Sequence, residues 1–363
     1  MAAADTAPPD HGRDALSERI RSSTIAALDL LAIHVGDRLG WYAALAAHGP
    51  STAAELAGAT GTNARYAREW LEHQAVGGVL TVDDASAGPE QRRYALPPGH
   101  AEVLLDRDSL AFATPMARTV AEVGSLLPDF LHAYRTGGGV PWDAHTDGRE
   151  AQADVNRPLF LRLLAQEWLP AIPDVHERLS APGARVADVA CGGGWASIAI
   201  ARAYPHARVD GYDLDAASID LARANAADSG VGDRVAFHVS DAAGPPAGAG
   251  YDLVAVFEAV HDMAQPVEAL AAMRAMASGG GAVLVMDERT ADEFGAPGDD
   301  AERLLYGFSL FSCLPAGMAE TPSAATGTVM RPATLRGYAR AAGFDDAVVL
   351  GIEHETFRFY RLI

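Results

Sequence analysis

The chain contains no lysine. All 28 of its basic residues are arginines, set against 48 Asp and Glu, which leaves a net charge of −20 over 363 residues. Together with the abundance of alanine, this is the signature of GC-rich coding and not of a functional choice. The acidic balance opposes a phosphate-binding surface, since nucleic-acid affinity is built on neutralising phosphates. Cysteine is nearly absent: Cys191 and Cys313 are too few for a disulfide framework and fit a reducing, cytoplasmic compartment. No run approaches the ~18 apolar residues of a membrane span. The opening MAAADTAPPDHGRD has neither a basic start nor an apolar stretch, so it reads as a disordered tail over 1–20 and not as a signal peptide. With 49% hydrophobic residues, the remainder has ample material for a packed core.

Before Pro182 the pattern is helical. Ser22 to Ala47 is an apolar-rich run stopped by Gly49-Pro50. Thr52 with Glu55 forms a capping-box signature, and Thr62 starts a further helix with Tyr66, Ala67, Trp70 and Leu71 as its stripe. Two short β-like pieces, GVLTV and RRYALP, follow. Three helices and a hairpin make a winged-helix pattern over 21–125, whose usual role is DNA binding. Here, however, the recognition helix balances Arg65 and Arg68 with Glu69 and Glu72. Residues 126–182 read as a helical connector whose loop, RTGGGVPWDAHTDG, spends a tryptophan on what would otherwise be a polar linker, and so reads as an active-site flap. From 183 to 363 short apolar strands alternate with helices, predicting a Rossmann-like, doubly wound, mostly parallel α/β sheet. The adjacent runs DAVVLGI and HETFRFYRL should end it as an antiparallel hairpin.

The first of these strands runs into Asp188-Val-Ala190-Cys-Gly192-Gly-Gly194-Trp195. Glycines there let the backbone turn tightly and approach a ligand at the mouth of the sheet. A dinucleotide fingerprint is incomplete, because Ser197 stands where its third glycine would be, and Trp195 would crowd a pyrophosphate. Asp213 closes the second strand about twenty residues on, where a carboxylate can accept both hydroxyls of a ribose. Asp241 closes the third and could accept from an adenine amino group. Each feature also has an ordinary structural explanation: a tight turn, a strand-end acid, a turn former. Taken together they describe an adenosine pocket without a pyrophosphate cradle.

The run Val186 to Asp241, with YDLVAVFEAVHDM and GGGAVLVMDE, resembles class I S-adenosylmethionine (SAM)-dependent methyltransferases. The N-terminal half resembles the winged-helix dimerisation domain of small-molecule O-methyltransferases. The resemblance implies a homodimer that uses SAM, releases S-adenosylhomocysteine (SAH) and methylates a small molecule. It places the methionine part along Asp188, Ala190, Gly192 and Gly194, the ribose at Asp213, and the adenine by Asp241, with Leu214, Ala242 and Phe257 in the same pocket. Ala190 departs from the family's usual glycine, and Met263 from its tryptophan after His-Asp.

Methyl transfer from a sulfonium needs alignment and, for a hydroxyl acceptor, removal of a proton. The resemblance puts the base in the His261-Asp262 pair; an imidazole near its free pKa suits the task. Asp262 could equally cap the next helix. Glu288 could orient the His261 ring, or be a solvated strand-end acid. Trp142, His145, Tyr306, Phe308 and Met318 are candidates for the acceptor wall. No His/Cys cluster has metal-ligand spacing, so no metal is expected. Two other readings stay open: a SAM-sensing transcriptional regulator, and a methyltransferase-like enzyme catalysing a non-methylating rearrangement.

Overall fold

The computed structural model describes residues 11–244 and 250–363 and divides into two units, Met1–Ala121 and Glu122–Ile363. The N-terminal unit opens with α1 (His11–Arg38), so the segment read as a tail over 1–20 is helical from residue 11; residues 1–10 lie outside the described residues. The apolar run read as one helix is two. Gly40 adopts φ +67° and ends the first before α2 (Trp41–His48), a left-handed turn that glycine makes at little cost. The Thr52/Glu55 capping box opens α3 (Ala53–Thr60), and Asn63 caps α4 (Ala64–Val76). Strands β1 (Thr81–Val82) and β2 (Tyr94–Ala95) pair antiparallel as the wing, followed by α5 (Pro98–Leu105).

Trp41, Tyr42, Leu45, Leu56, Trp70 and Leu71 form the core of this unit. A side chain at Gly36 would stand 2.4 Å from the Trp70 ring, so the first helix packs closely on the fourth there. Tyr66, assigned to the buried stripe, is exposed instead; Gln74 takes an inward place and accepts from the Tyr42 hydroxyl at 2.5 Å. Both α4 arginines singled out above are paired, Arg65 with Glu69 at 2.5 Å and Arg68 with Glu90 at 2.8 Å.

The division between units falls inside α6 (Thr114–Thr136). After a short 3-10 turn at Trp142–Ala144 come α7 (Thr146–Leu159), which continues as π-helical turns over Phe160–Trp168, and α8 (Pro173–Ser180). Residues 126–182 are not a separate connector. Phe160, Leu164, Trp168 and Leu179 share one core with Ile198, Phe257 and Leu284 of the sheet layer.

The sheet comprises β3 (Arg185–Val189), β4 (Arg208–Asp213), β5 (Val235–Val239), β6 (Tyr251–Phe257), β7 (Ala277–Glu288), β8 (Ala347–Val349) and β9 (Phe357–Leu362), in the order β5-β4-β3-β6-β7-β9-β8. The first five are parallel. The last two are antiparallel, as expected, but β9 inserts between β7 and β8 and pairs with both. Around the sheet run α9 (Trp195–Ala203), α10 (Ala216–Asp228), α11 (Pro266–Met276), α12 (Asp300–Phe308), α13 (Leu314–Gly317) and α14 (Pro332–Ala341). The chain leaves β3 toward β4 on one side and later takes up β6 on the other. This switch in strand order opens a crevice at the carboxyl ends of β3 and β6, where doubly wound sheets bind ligands.

Candidate active site

The glycine turn after β3 is built from left-handed residues: Ala190 has φ +56°, Gly192 +50° and Gly194 +78°. Gly194 cannot carry a side chain, since a Cβ there would lie 2.7 Å from the Phe237 ring and 2.9 Å from Ala222. A Cβ at Gly192 would meet nothing within 4 Å, so the front of the turn is open. Ala190 holds a backbone that alanine disfavours by about 1–2 kcal/mol, partly offset by its smaller loss of chain entropy. Ala190→Gly is therefore expected to leave stability unchanged or raise it by up to about 1 kcal/mol, read as the urea midpoint; a clear loss would contradict strain at this turn.

Asp188 is fully buried and accepts from the Ser197 hydroxyl at 2.6 Å, tying β3 to the start of α9. Burial pushes its carboxyl up to about 7, against the pull of the Ser197 bonds. Trp195 is buried too, its ring under the Arg157 guanidinium at 4.4 Å. Asp213, at the end of β4, accepts the Gly192 N–H at 2.8 Å and the Asp215 N–H at 2.9 Å, one on each carboxylate oxygen. Burial raises its pKa, while those two backbone bonds pull the other way. Next to it, Leu214 is 57% exposed and presents an apolar surface at the mouth. Asp241 is exposed and accepts the Ala243 N–H, and Ala242 packs against the core beside it. Phe257 lies inside the sheet's core, 5.5 Å from the Phe160 ring.

One face of α7 lies over this edge. Arg149 pairs with Asp215 at 2.5 Å, Gln152 donates to Glu258 at 3.3 Å, and Ala153 sits where a Cβ on Gly193 would be only 2.7 Å away. The spacing 149, 152, 153 is one helical face.

His261 lies beyond β6, buried to 2% exposure. Its Nδ1 donates to Asp287 Oδ1 at 2.8 Å, with Glu288 Oε2 at 2.9 Å. Burial works against a charged ring, but the two carboxylates outweigh it and hold the pKa well above the usual histidine value. The expectation of an imidazole near its free pKa is corrected accordingly. Burial favours protonation of Asp287 as well, yet the imidazolium keeps that carboxyl below its ordinary range. Burial pushes Glu288 up to about 8. Asp262 does not cap a helix, because α11 starts at Pro266 with Gln265 before it; burial raises Asp262 to about 6.

Four residues of this cluster were not singled out from the sequence as site groups: Asp287, Glu258, Cys313 and Gln152. Glu258 has φ +55°, a strained conformation for glutamate, and burial followed by the Glu288 charge raises its pKa well above the ordinary range. Strand-end acids in FEAVHD and MDE were visible signals for Glu258 and Asp287. Cys313 had none, being 52 residues from His261 along the chain. Donor atoms of His261, Asp287 and Glu288, and those of His261, Asp262 and Cys313, fall within 4.8 Å of one another in each set. Chain spacing alone, which gave no metal signal, does not reveal these two groupings.

Of the wall candidates, Trp142 stacks on His145 with centroids 5.1 Å apart. Met318 lies where Gly139 packs so closely that a Cβ would stand 2.5 Å from its carbonyl carbon. Tyr306 instead meets Arg331 at 3.4 Å, and Phe308, on the same helix, is half-buried. Phe311, not named from the sequence, packs edge-on against Phe130 at 5.8 Å.

Residues 186–281 match the family described as a methyltransferase domain, and residues 26–106 match the Rv2258c-like winged HTH domain. The chain thus carries a methyltransferase domain behind a winged helix-turn-helix domain. No protein of curated function matches it by sequence. Among solved structures it is similar to the mitomycin 7-O-methyltransferase MmcR (21% identity, 98% of this chain and 99% of that chain, TM-score 0.70). Human N-acetylserotonin methyltransferase in complex with SAM is also similar (17% identity, 100% and 99% covered, TM-score 0.67). A third is an O-methyltransferase family protein from Burkholderia thailandensis (19% identity, 96% and 95% covered, TM-score 0.66). At these identities the likeness is one of fold.

Proposed function

We propose that this protein is a SAM-dependent methyltransferase that methylates a hydroxyl group of a small molecule, with His261 as general base. The observation that carries the reading is the buried His261–Asp287 hydrogen bond, which stands at the carboxyl ends of β6 and β7, in the same sheet and at the same edge as the open glycine turn and Asp213. The residues present fit the cofactor: the front of the turn is open at Gly192, and each Asp213 oxygen is engaged by only one N–H and keeps acceptor capacity for a ribose hydroxyl. In this reading Asp213 holds the ribose, Leu214, Asp241 and Ala242 the adenine, and the turn from Asp188 to Gly194 the methionine part, with Phe257 in the wall behind. SAM supplies an electrophilic methyl group on a sulfonium.

The chain's own residues orient the acceptor and take its proton. With Nδ1 donating to Asp287, the neutral ring carries its lone pair on Nε2, the atom left to accept from a hydroxyl. Asp287 and Glu288 then stabilise the imidazolium that forms, so both act through His261 as positioning residues. Asp262 lines the same cluster.

The cofactor half is tested by calorimetric titration with SAM and SAH. Binding of both supports it; no binding of either would put a scaffold or sensor role ahead. Small-molecule chemistry, and not nucleic-acid binding, is favoured by the paired arginines of α4. No helix among the described residues is long and apolar enough to cross a membrane, and the reading is of a cytoplasmic enzyme. A homodimer is favoured by the first helix, on which Leu16, Ile20, Ile25, Leu28 and Leu31 are exposed. Light scattering should give twice the 37.9 kDa chain mass, and Leu28→Glu with Leu31→Glu should return the single value. A wild-type protein of single-chain mass would contradict the dimer.

A further inference from the structure

The loop after α6 places His145 against Glu122 of α6, a second buried imidazole–carboxylate pair that the proposed methyl transfer leaves unused. His145, only 2% exposed, places Nδ1 3.1 Å from Glu122 Oε2, while Glu122 Oε1 accepts the Gly148 N–H at 2.7 Å. The pair is built to fit. A Cβ on Gly148 would lie 2.0 Å from Glu122 Oε2, so glycine is required where the loop enters α7. Since a carboxylate only accepts, Nδ1 carries the hydrogen in the neutral ring and Nε2 is left as an acceptor. Nε2 is buried and has no hydrogen-bond partner. A buried acceptor without a donor is costly, and here none of the described side chains supplies that donor.

The surroundings describe that ligand. The Trp142 ring stacks on His145, and the Phe130 ring lies 6.3 Å from it with Phe311 edge-on behind, so the lining is aromatic. A single stretch, residues 311–317, connects this place to the first dyad. Phe311 faces Phe130, and Pro315 accepts the Val140 N–H of the flap at 3.0 Å. On its other side, Cys313 joins the His261 cluster and Gly317 packs against the Asp262 carbonyl.

We propose that His145, fixed by Glu122, is a specificity-determining residue that selects planar aromatic acceptors carrying a second hydroxyl, whose hydrogen bond Nε2 accepts. The inference rests on the methyl-transfer reading for the role of the bound ring as acceptor. Aromatic walls favour a flat ring, and one directed acceptor in an apolar lining sets its orientation.

The test is calorimetric titration of SAH-saturated protein with 2,3-dihydroxynaphthalene and with 2-naphthol. One added hydrogen bond predicts roughly tenfold tighter binding of the diol to the wild type. His145→Asn keeps a donor toward Glu122 but removes Nε2, so it should bring the affinities of the two probes within about twofold of each other. Glu122→Gln, which keeps the ring and releases its tautomer, should also reduce the preference, and it serves if the first variant does not fold. Equal binding of both probes by the wild type, binding of neither, or a preference retained in His145→Asn would overturn the proposal. SAH affinity is read in the same experiment. A wild type that binds no SAH contradicts the methyl-transfer reading, whereas probe titrations without cofactor still report on His145.

Discussion

His261→Ala is expected to lower methyl transfer by on the order of 10²–10⁴-fold while leaving SAM affinity within about twofold, because general-base catalysis contributes about that much and the ring does not hold the cofactor. The pH profile is the sharper readout. Asp287 and Glu288 keep the imidazole protonated well above its ordinary range, and only the neutral ring can take a proton. The rate should therefore rise with pH through a midpoint well above that of free histidine. Asp287→Asn removes the charge that contributes most to holding the proton, so the midpoint should move toward acid even as the maximal rate falls. A profile flat through that region, or an unmoved midpoint in Asp287→Asn, would contradict the assignment of the base. Burial and like charge together keep Glu288, near 8, and Glu258 inclined toward protonation at neutral pH, so the transition belongs to the cluster and not to one residue.

Asp213→Ala should weaken SAM and SAH binding by on the order of 10²-fold or more, since hydrogen bonds to a charged group contribute about 1.5–3 kcal/mol each and two ribose hydroxyls are at stake. The same carboxylate holds the Gly192 and Asp215 N–H groups, so part of the loss reflects loosening of the turn. The unliganded melting temperature separates the two contributions. Protonation turns one of the two acceptor oxygens into a donor and removes the charge that strengthens both ribose bonds, so wild-type affinity should fall on acidification. Because burial raises the Asp213 pKa, that fall begins at higher pH than for a free aspartate. Unchanged affinity in Asp213→Ala would remove the ribose assignment.

The strand–helix alternation and the glycine turn were legible in the chain because both are local: period and backbone chemistry fix them within ten or so residues. The capping box at Thr52 was legible for the same reason. The break at Gly40 was missed because neighbouring apolar residues continue the helical pattern across it, and only the backbone angle reveals the stop. The place of β9 between β7 and β8 depends on sheet order, which two adjacent strand-like runs leave undetermined. At the site, His261 and Glu288 could be named, but Asp287 was passed over. In a strand, neighbouring side chains face opposite ways; here β7 ends at Glu288, whose own N–H donates to Asp287, and both acids reach one nitrogen. Cys313 and the Glu122–His145 pair join through tertiary packing alone. The aromatic wall was half-legible: Trp142 and His145 meet, while Phe311, which packs on Phe130, was not named from the sequence.

The most direct test follows isotope-labelled methyl from SAM into aromatic diol acceptors, with SAH measured in the same reaction and His261→Ala run in parallel. Label in the acceptor hydroxyl, matched by SAH in equal amount and lost with His261→Ala, is the expected result. Tight SAM binding with the acceptor converted but unlabelled, or with no SAH formed, would contradict methyl transfer and point to a rearrangement on the same fold.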